Sequence, residues 1–214
     1  MESQPTTNGR PIMSWTLFVA VVLAWISASW ASNMVGLWPA IGSAALILGA
    51  LMIRFERTVC LQLLRPSWSS IALGIIVGGG MTLATHLMYP VIASVVPQVS
   101  VDTAHLYAAF RTPSMWVATL CLGPVILGEE LVWRGVVQTG LSRRFGTING
   151  MWLAAGVYTL VQVPVGSPVL LLTAFGCGLM WGALRAWTGS LVSVLVAHIL
   201  WDVLVLIWLP LNVA

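Results

Sequence analysis

Of the six acidic residues in this 214-residue chain, three lie inside strongly apolar segments: Glu129, Glu130 and Asp202. Arg134 lies there too. Placing an ionised side chain in the middle of a bilayer costs ~3 kcal/mol on insertion scales, so such residues are normally paired or functional. The segment reads Gly128-Glu129-Glu130-Leu131-Val132-Trp133-Arg134-Gly135. On a helix Glu130 and Arg134 stand at i and i+4 with the acid N-terminal, the better order for an ion pair, so Arg134 neutralises Glu130. Glu129 lies roughly 100° around the helix and has no partner nearby in sequence. A carboxyl without a countercharge in such surroundings can exchange protons near neutral pH, as a general base must. A pure packing role for both acids conflicts with the cost of an unpaired one.

Two other polar pairs share this spacing. His198 and Asp202 are i and i+4 in the last apolar segment, and Tyr158 and Gln162 are i and i+4 in an earlier one. Alone, the His198–Asp202 pair reads equally well as interhelical glue, and a Gln in a span is more often glue than chemistry. Cys60, Cys121 and Cys177 are odd in number and carry neither a disulfide framework nor metal-type spacing. They read as small packing residues.

The elements that must position these groups are membrane spans. Hydrophobic residues make up 59% of the chain and charged residues 7%, with mean hydropathy +0.96. An ordinary soluble domain is about 25% charged, so this surface faces lipid. The sequence predicts an all-α polytopic bundle of about seven spans, near 14–31, 36–53, 68–96, 113–137, 148–163, 168–187 and 190–209. Glu2, Glu56, Asp102 and His105 fall in tails or loops. The first span is too long for a signal peptide and no clear cleavage site follows it. The net charge of +3 is too diffuse for a nucleic-acid partner; the bilayer is the partner this composition implies. We divide the chain into a cytoplasmic tail at 1–13, three N-terminal spans over 14–112 and a set of helices over 113–214 that carries the intramembrane polar residues.

All nine basic residues are Arg, and their placement predicts orientation. With the N-terminus cytoplasmic, Arg10, Arg54, Arg57, Arg65, Arg143, Arg144 and Arg185 face the cytoplasm and only Arg111 faces out, as the positive-inside rule requires. That suits a plasma (inner) membrane protein. Trp15, Trp30, Trp38, Trp68, Trp116, Trp152, Trp187 and Trp208 fall near span ends, where indoles favour the interface. At 1.5 Å per residue, Glu129, Gln162, His198 and Asp202 lie roughly 12–21 Å from cytoplasmic helix ends, deep enough to converge. By the same rise His86 is roughly 27 Å away, too close to the outer face to join them.

These residues resemble the CPBP family (CAAX protease and bacteriocin-processing enzymes, also called Abi proteins), intramembrane endopeptidases whose pattern is Glu-Glu-x-x-x-Arg, then aromatic-x-x-x-His, then His-x-x-x-Asn or Asp. Glu129-Glu130 to Arg134 matches the first motif and His198 to Asp202 the third. The Arg185-Ala-Trp-Thr-Gly-Ser-Leu context before Ala197-His198 is also similar. The likeness covers residues 113–209. The middle motif departs: Tyr158 supplies the aromatic, but Gln162 stands where the family has His.

The resemblance implies an intramembrane endopeptidase acting on membrane-anchored peptides or proteins. Glu129 would activate water, Gln162 hold it, His198 donate to the oxyanion and Asp202 orient His198, with Glu130 and Arg134 fixing the helix. Family members have been described as metalloproteases and as glutamate-type enzymes. Gln is a poor zinc ligand, so this sequence favours the glutamate type with no cofactor over a zinc site. Gln can orient water but cannot take its proton, which leaves a degenerate, non-cleaving binder of peptides or partner helices as an alternative. A small proton-coupled transporter is the other, since intramembrane Glu, His and Asp also mark proton relays, although no inverted repeat is present.

Overall fold

The computed structural model describes residues 13–110 and 114–212. Arg10 and Arg111 lie outside the described residues. Among these residues there are nine helices and no strand: α1 (Trp15–Val35), α2 (Trp38–Phe55), α3 (Arg57–Leu63), α4 (Trp68–Val95), α5 (Gln98–Ala109), α6 (Met115–Phe145), α7 (Thr147–Val165), α8 (Pro168–Thr188) and α9 (Leu191–Trp208). All but α3 and α5 are long and apolar enough to cross a membrane, and the chain is an integral membrane protein. Leu83, Leu87 and Leu120 project outward and are exposed, as lipid-facing residues are.

Local chemistry sets the boundaries. Ser14, Ser67, Ser167 and Ser190 each accept an amide hydrogen bond from the first turn of the helix that follows, the standard role of an N-cap serine. Gly189 takes the left-handed conformation (φ 68°) that closes α8. Only Gly189 and Ser190 separate α8 from α9, so these two spans are antiparallel neighbours.

Two features differ from the sequence expectation. The fourth span does not stop near 137 but runs on to Phe145: the Gln138 Nε2 donates to the Gly182 carbonyl (2.9 Å), and Arg143 and Arg144 suit a helix C-terminus. Asp102 and His105 are not in a loop: they lie on α5, a short helix whose apolar positions are too few to register as a span. Glu56 does fall in a connection, the one between α2 and α3.

Glycines set the close crossings. A Cβ on Gly49 of α2 would sit 2.5 Å from the Gly128 Cα of α6. One on Gly78 of α4 would sit 2.7 Å from the Ala197 carbonyl oxygen of α9. Such small-residue contacts let backbones approach where no hydrophobic effect drives helices together. They lie beside Glu129 and His198 in sequence, so the packing that binds the N-terminal helices to α6–α9 also fixes the polar residues.

The two ends of the bundle differ in charge. At one end Arg144 donates to the Met13 carbonyl (3.2 Å) and Arg185 to Thr139 Oγ1 (3.5 Å). Arg54 in the last turn of α2, Arg57 at the start of α3 and Arg65 between α3 and α4 lie at the same end. At the other end Asn33 donates to the Pro164 carbonyl, Trp38 to the Phe110 carbonyl and Trp208 to Thr119 Oγ1.

Candidate functional site

Glu129 and Glu130 sit where α6 changes its winding. Met115–Glu130 is α-helical, and Leu131–Val137 winds as a π-helix whose seven residues are all buried. Such insertions are rare in helices and recur at functional sites. Two further π segments occur among the described residues: Val203–Trp208 begins directly after Asp202, and Trp38–Gly42 opens α2. Two of the three therefore adjoin the intramembrane acids.

Glu130 is completely buried. Its Oε1 accepts from Arg134 Nη1 at 3.0 Å and lies 2.8 Å from His198 Nδ1. The ion pair foreseen within one helix is thus a three-residue network joining α6 to α9. His198 stacks on Trp181, with ring centroids 5.3 Å apart and planes 26° apart. Its Nε2 lies 3.6 Å from Asp202 Oδ1, beyond hydrogen-bond length. The partner that holds the imidazole is Glu130, from a different helix, and Asp202 stands as a nearby carboxylate.

Glu129 also has a partner, which sequence proximity could not reveal. Tyr158 of α7 donates its hydroxyl to Glu129 Oε1 at 2.7 Å. The Arg134 guanidinium lies 4.5 Å from the centre of the Tyr158 ring, a cation–π arrangement. Tyr158 therefore ties the two parts of the Glu-Glu-x-x-x-Arg segment together. Its ring is held in turn by Trp133 (5.4 Å), which packs on Trp25 (5.3 Å).

Gln162 lies beyond the regular part of α7. The α-helix ends at Leu160, and Val163–Val165 forms a single 3-10 turn. Pro164 has no amide hydrogen and disfavours helix for the residue before it, so the last turn unwinds. Gln162 is nonetheless buried and lines the same cavity as Glu129, Tyr158, His198 and Asp202. That cavity has a volume of about 630 Å³ and is walled mainly by apolar side chains. The structure thus brings together all four residues singled out at 129, 162, 198 and 202. Glu130 and Arg134 lie behind the wall. His86 stays apart, bonded to the Thr82 and Leu209 carbonyls.

Two contributors escaped the sequence reading. Trp181 resembles any other buried indole until its stacking on His198 is seen. Helix α5 covers one end of the cavity with Val99, Thr103, Leu106 and Tyr107, positions spaced as one helical face, and Phe110 follows at its C-cap. Among the described residues no group of three or more His, Cys, Asp or Glu is arranged to hold a metal ion.

Residues 112–204 match the family described as Rce1-like, type II CAAX prenyl endopeptidase. The match runs from the start of α6 into α9 and includes every residue of the network, in agreement with the CPBP likeness of the motifs. No curated protein and no solved structure matches the chain.

Proposed function

We propose that this chain, with its Rce1-like CAAX-protease segment over residues 112–204, is an intramembrane endopeptidase of the glutamate type. It cuts membrane-anchored peptides or proteins. The observation that carries the reading is the lining of one cavity by Glu129, Gln162, His198 and Asp202, inside the family-matched segment.

In this mechanism the Glu129 carboxylate takes a proton from water while the water oxygen attacks the peptide carbonyl carbon. Tyr158, bonded to one Glu129 oxygen, fixes the carboxyl and leaves the other oxygen free for the water. Gln162 orients that water without exchanging its proton. The carbonyl oxygen becomes an oxyanion, and preorganised donors aimed at such charge are usually the largest stabilising contribution. With His198 Nδ1 engaged by Glu130, Nε2 is the nitrogen left to donate. It carries that proton alongside the Nδ1 proton only in the doubly protonated ring, for which Glu130 and Asp202 are the countercharges. The intermediate collapses, the C–N bond breaks, and Glu129 returns its proton to the leaving amine. No step passes through a metal.

The protein sits in the plasma (inner) membrane with its N-terminus in the cytoplasm, the orientation the Arg residues favour. Gln162, in place of the family His, supports one second reading, a relative that binds peptides without cutting them. Purified protein incubated with membrane-anchored peptides separates the two: cleavage by the wild type and none by Glu129→Gln supports the protease, and no cleavage by either supports the binder.

A further inference from the structure

The cavity is not centred in the bundle. Its far wall is built from Trp38 at the start of α2, Tyr89 and Ile92 near the end of α4, Phe110 after α5, and Leu211. All lie at the end opposite the described Arg residues, Arg134 aside. Toward the Arg-bearing end the packing closes. Leu131, Val136, Val137, Trp181 and Leu191 are fully buried there, and the π segment leaves no residue accessible. A polypeptide cannot reach Glu129 through that floor without unpacking the core.

The opposite end holds a polar vestibule. A second hollow of about 260 Å³, lined in part by Ser32, Asn33, Asp102 and His105, shares Leu37 and Leu106 with the main cavity. Helix α5 lies between the two hollows. Its C-terminal end is pinned: the Tyr107 hydroxyl donates to the Val205 carbonyl and accepts from the Leu211 amide, and Trp38 donates to the Phe110 carbonyl.

Because Arg-rich ends face the cytoplasm, we propose that the site is entered from the external face, past the Asp102–His105 side of α5. Its substrates are membrane-anchored polypeptides that present an extended apolar segment in the outer leaflet. A polar flank of the same chain rests in the vestibule. Lipidated tails displayed at the cytoplasmic surface lie on the wrong side of the closed floor. This inference rests on the protease reading for its substrate, but the direction of access does not.

Two measurements test it. In a background with Cys60, Cys121 and Cys177 replaced by Ala, Leu106→Cys and Phe145→Cys are treated with a membrane-impermeant maleimide in spheroplasts and in inverted vesicles. Leu106→Cys is expected to react in spheroplasts only and Phe145→Cys in inverted vesicles only. Reaction of Leu106→Cys only in inverted vesicles, from the same side as Phe145→Cys, or only after detergent solubilisation overturns the inference. The second measurement uses the unmodified wild type with paired reporters whose cleavable segment sits on the outer or the inner side of one anchor. Cleavage of the outer reporter alone is expected. Glu129-dependent cleavage of the inner reporter overturns the access route while preserving the protease. External labelling of Leu106→Cys with neither reporter cut preserves the route and removes the protease.

Discussion

Glu130 has two partners on one oxygen, and this makes its replacement unusually informative. Glu130→Gln removes the carboxylate bonded to Arg134, at a site where Glu130 is completely buried and Arg134 nearly so. Breaking a buried pair by deleting one member typically costs ~3–5 kcal/mol, because the other charge is left uncompensated. Arg134→Met leaves the converse charge and is expected to cost a similar amount. In the double variant neither member of the pair is charged, and coupled neighbours typically show interaction energies of ~0.5–3 kcal/mol, so part of the loss is recovered. Activity should behave differently. Glu130 also holds His198 Nδ1 at 2.8 Å, and a small misplacement of a reacting group can cost on the order of 10²-fold in rate. The double variant is therefore expected to regain stability without regaining turnover. Thermal unfolding in detergent by tryptophan fluorescence, with peptidase rates on the same preparations, reads both quantities. Additive stability losses would refute the pairing, and recovery of activity in the double variant would refute the positioning of His198 by Glu130.

Tyr158→Phe deletes one hydrogen bond to Glu129, and such bonds to charged groups are worth ~1.5–3 kcal/mol; turnover should fall by about ten- to hundredfold with the fold intact by circular dichroism, and an unchanged rate would remove Tyr158 from the site. Gln162→His should be tolerated, and cleavage by either form should persist in strong chelators; zinc-restored activity after chelation would contradict the metal-free chemistry. Gly49→Ala forces a methyl against the Gly128 backbone, so overpacking should cost ~1–3 kcal/mol and lower activity by shifting Glu129, whereas Gly79→Ala, with open space around it, should change neither melting nor rate.

Single-helix periodicity and composition made much of this legible. The spans announce themselves because lipid demands long apolar runs, and Glu130–Arg134 is visible because one helix carries both. What crosses between helices was not visible. The His198–Glu130 bond joins residues 68 apart and Tyr158–Glu129 residues 29 apart, so the i+4 rule assigned His198 to Asp202 and left Glu129 alone. Helix α5 was missed because a short helix lying across a cavity needs only one apolar face, and its Asp102 and His105 read as loop chemistry. The span read over 148–163 includes a last turn that is not α-helical: the regular helix ends at Leu160 and a 3-10 turn follows at Val163–Val165, so the i+4 spacing that linked Gln162 to Tyr158 does not hold there as on a regular helix.

The central claim is that Glu129 activates water for peptide hydrolysis within the membrane. The most direct measurement is peptidase activity of the purified protein against a library of membrane-anchored peptides, wild type beside Glu129→Gln, with products identified by mass spectrometry. The account predicts defined cleavage products from the wild type and loss of turnover in Glu129→Gln, a neutral near-isostere that keeps a group able to accept from Tyr158. Cleavage by Glu129→Gln at the wild-type rate would contradict it.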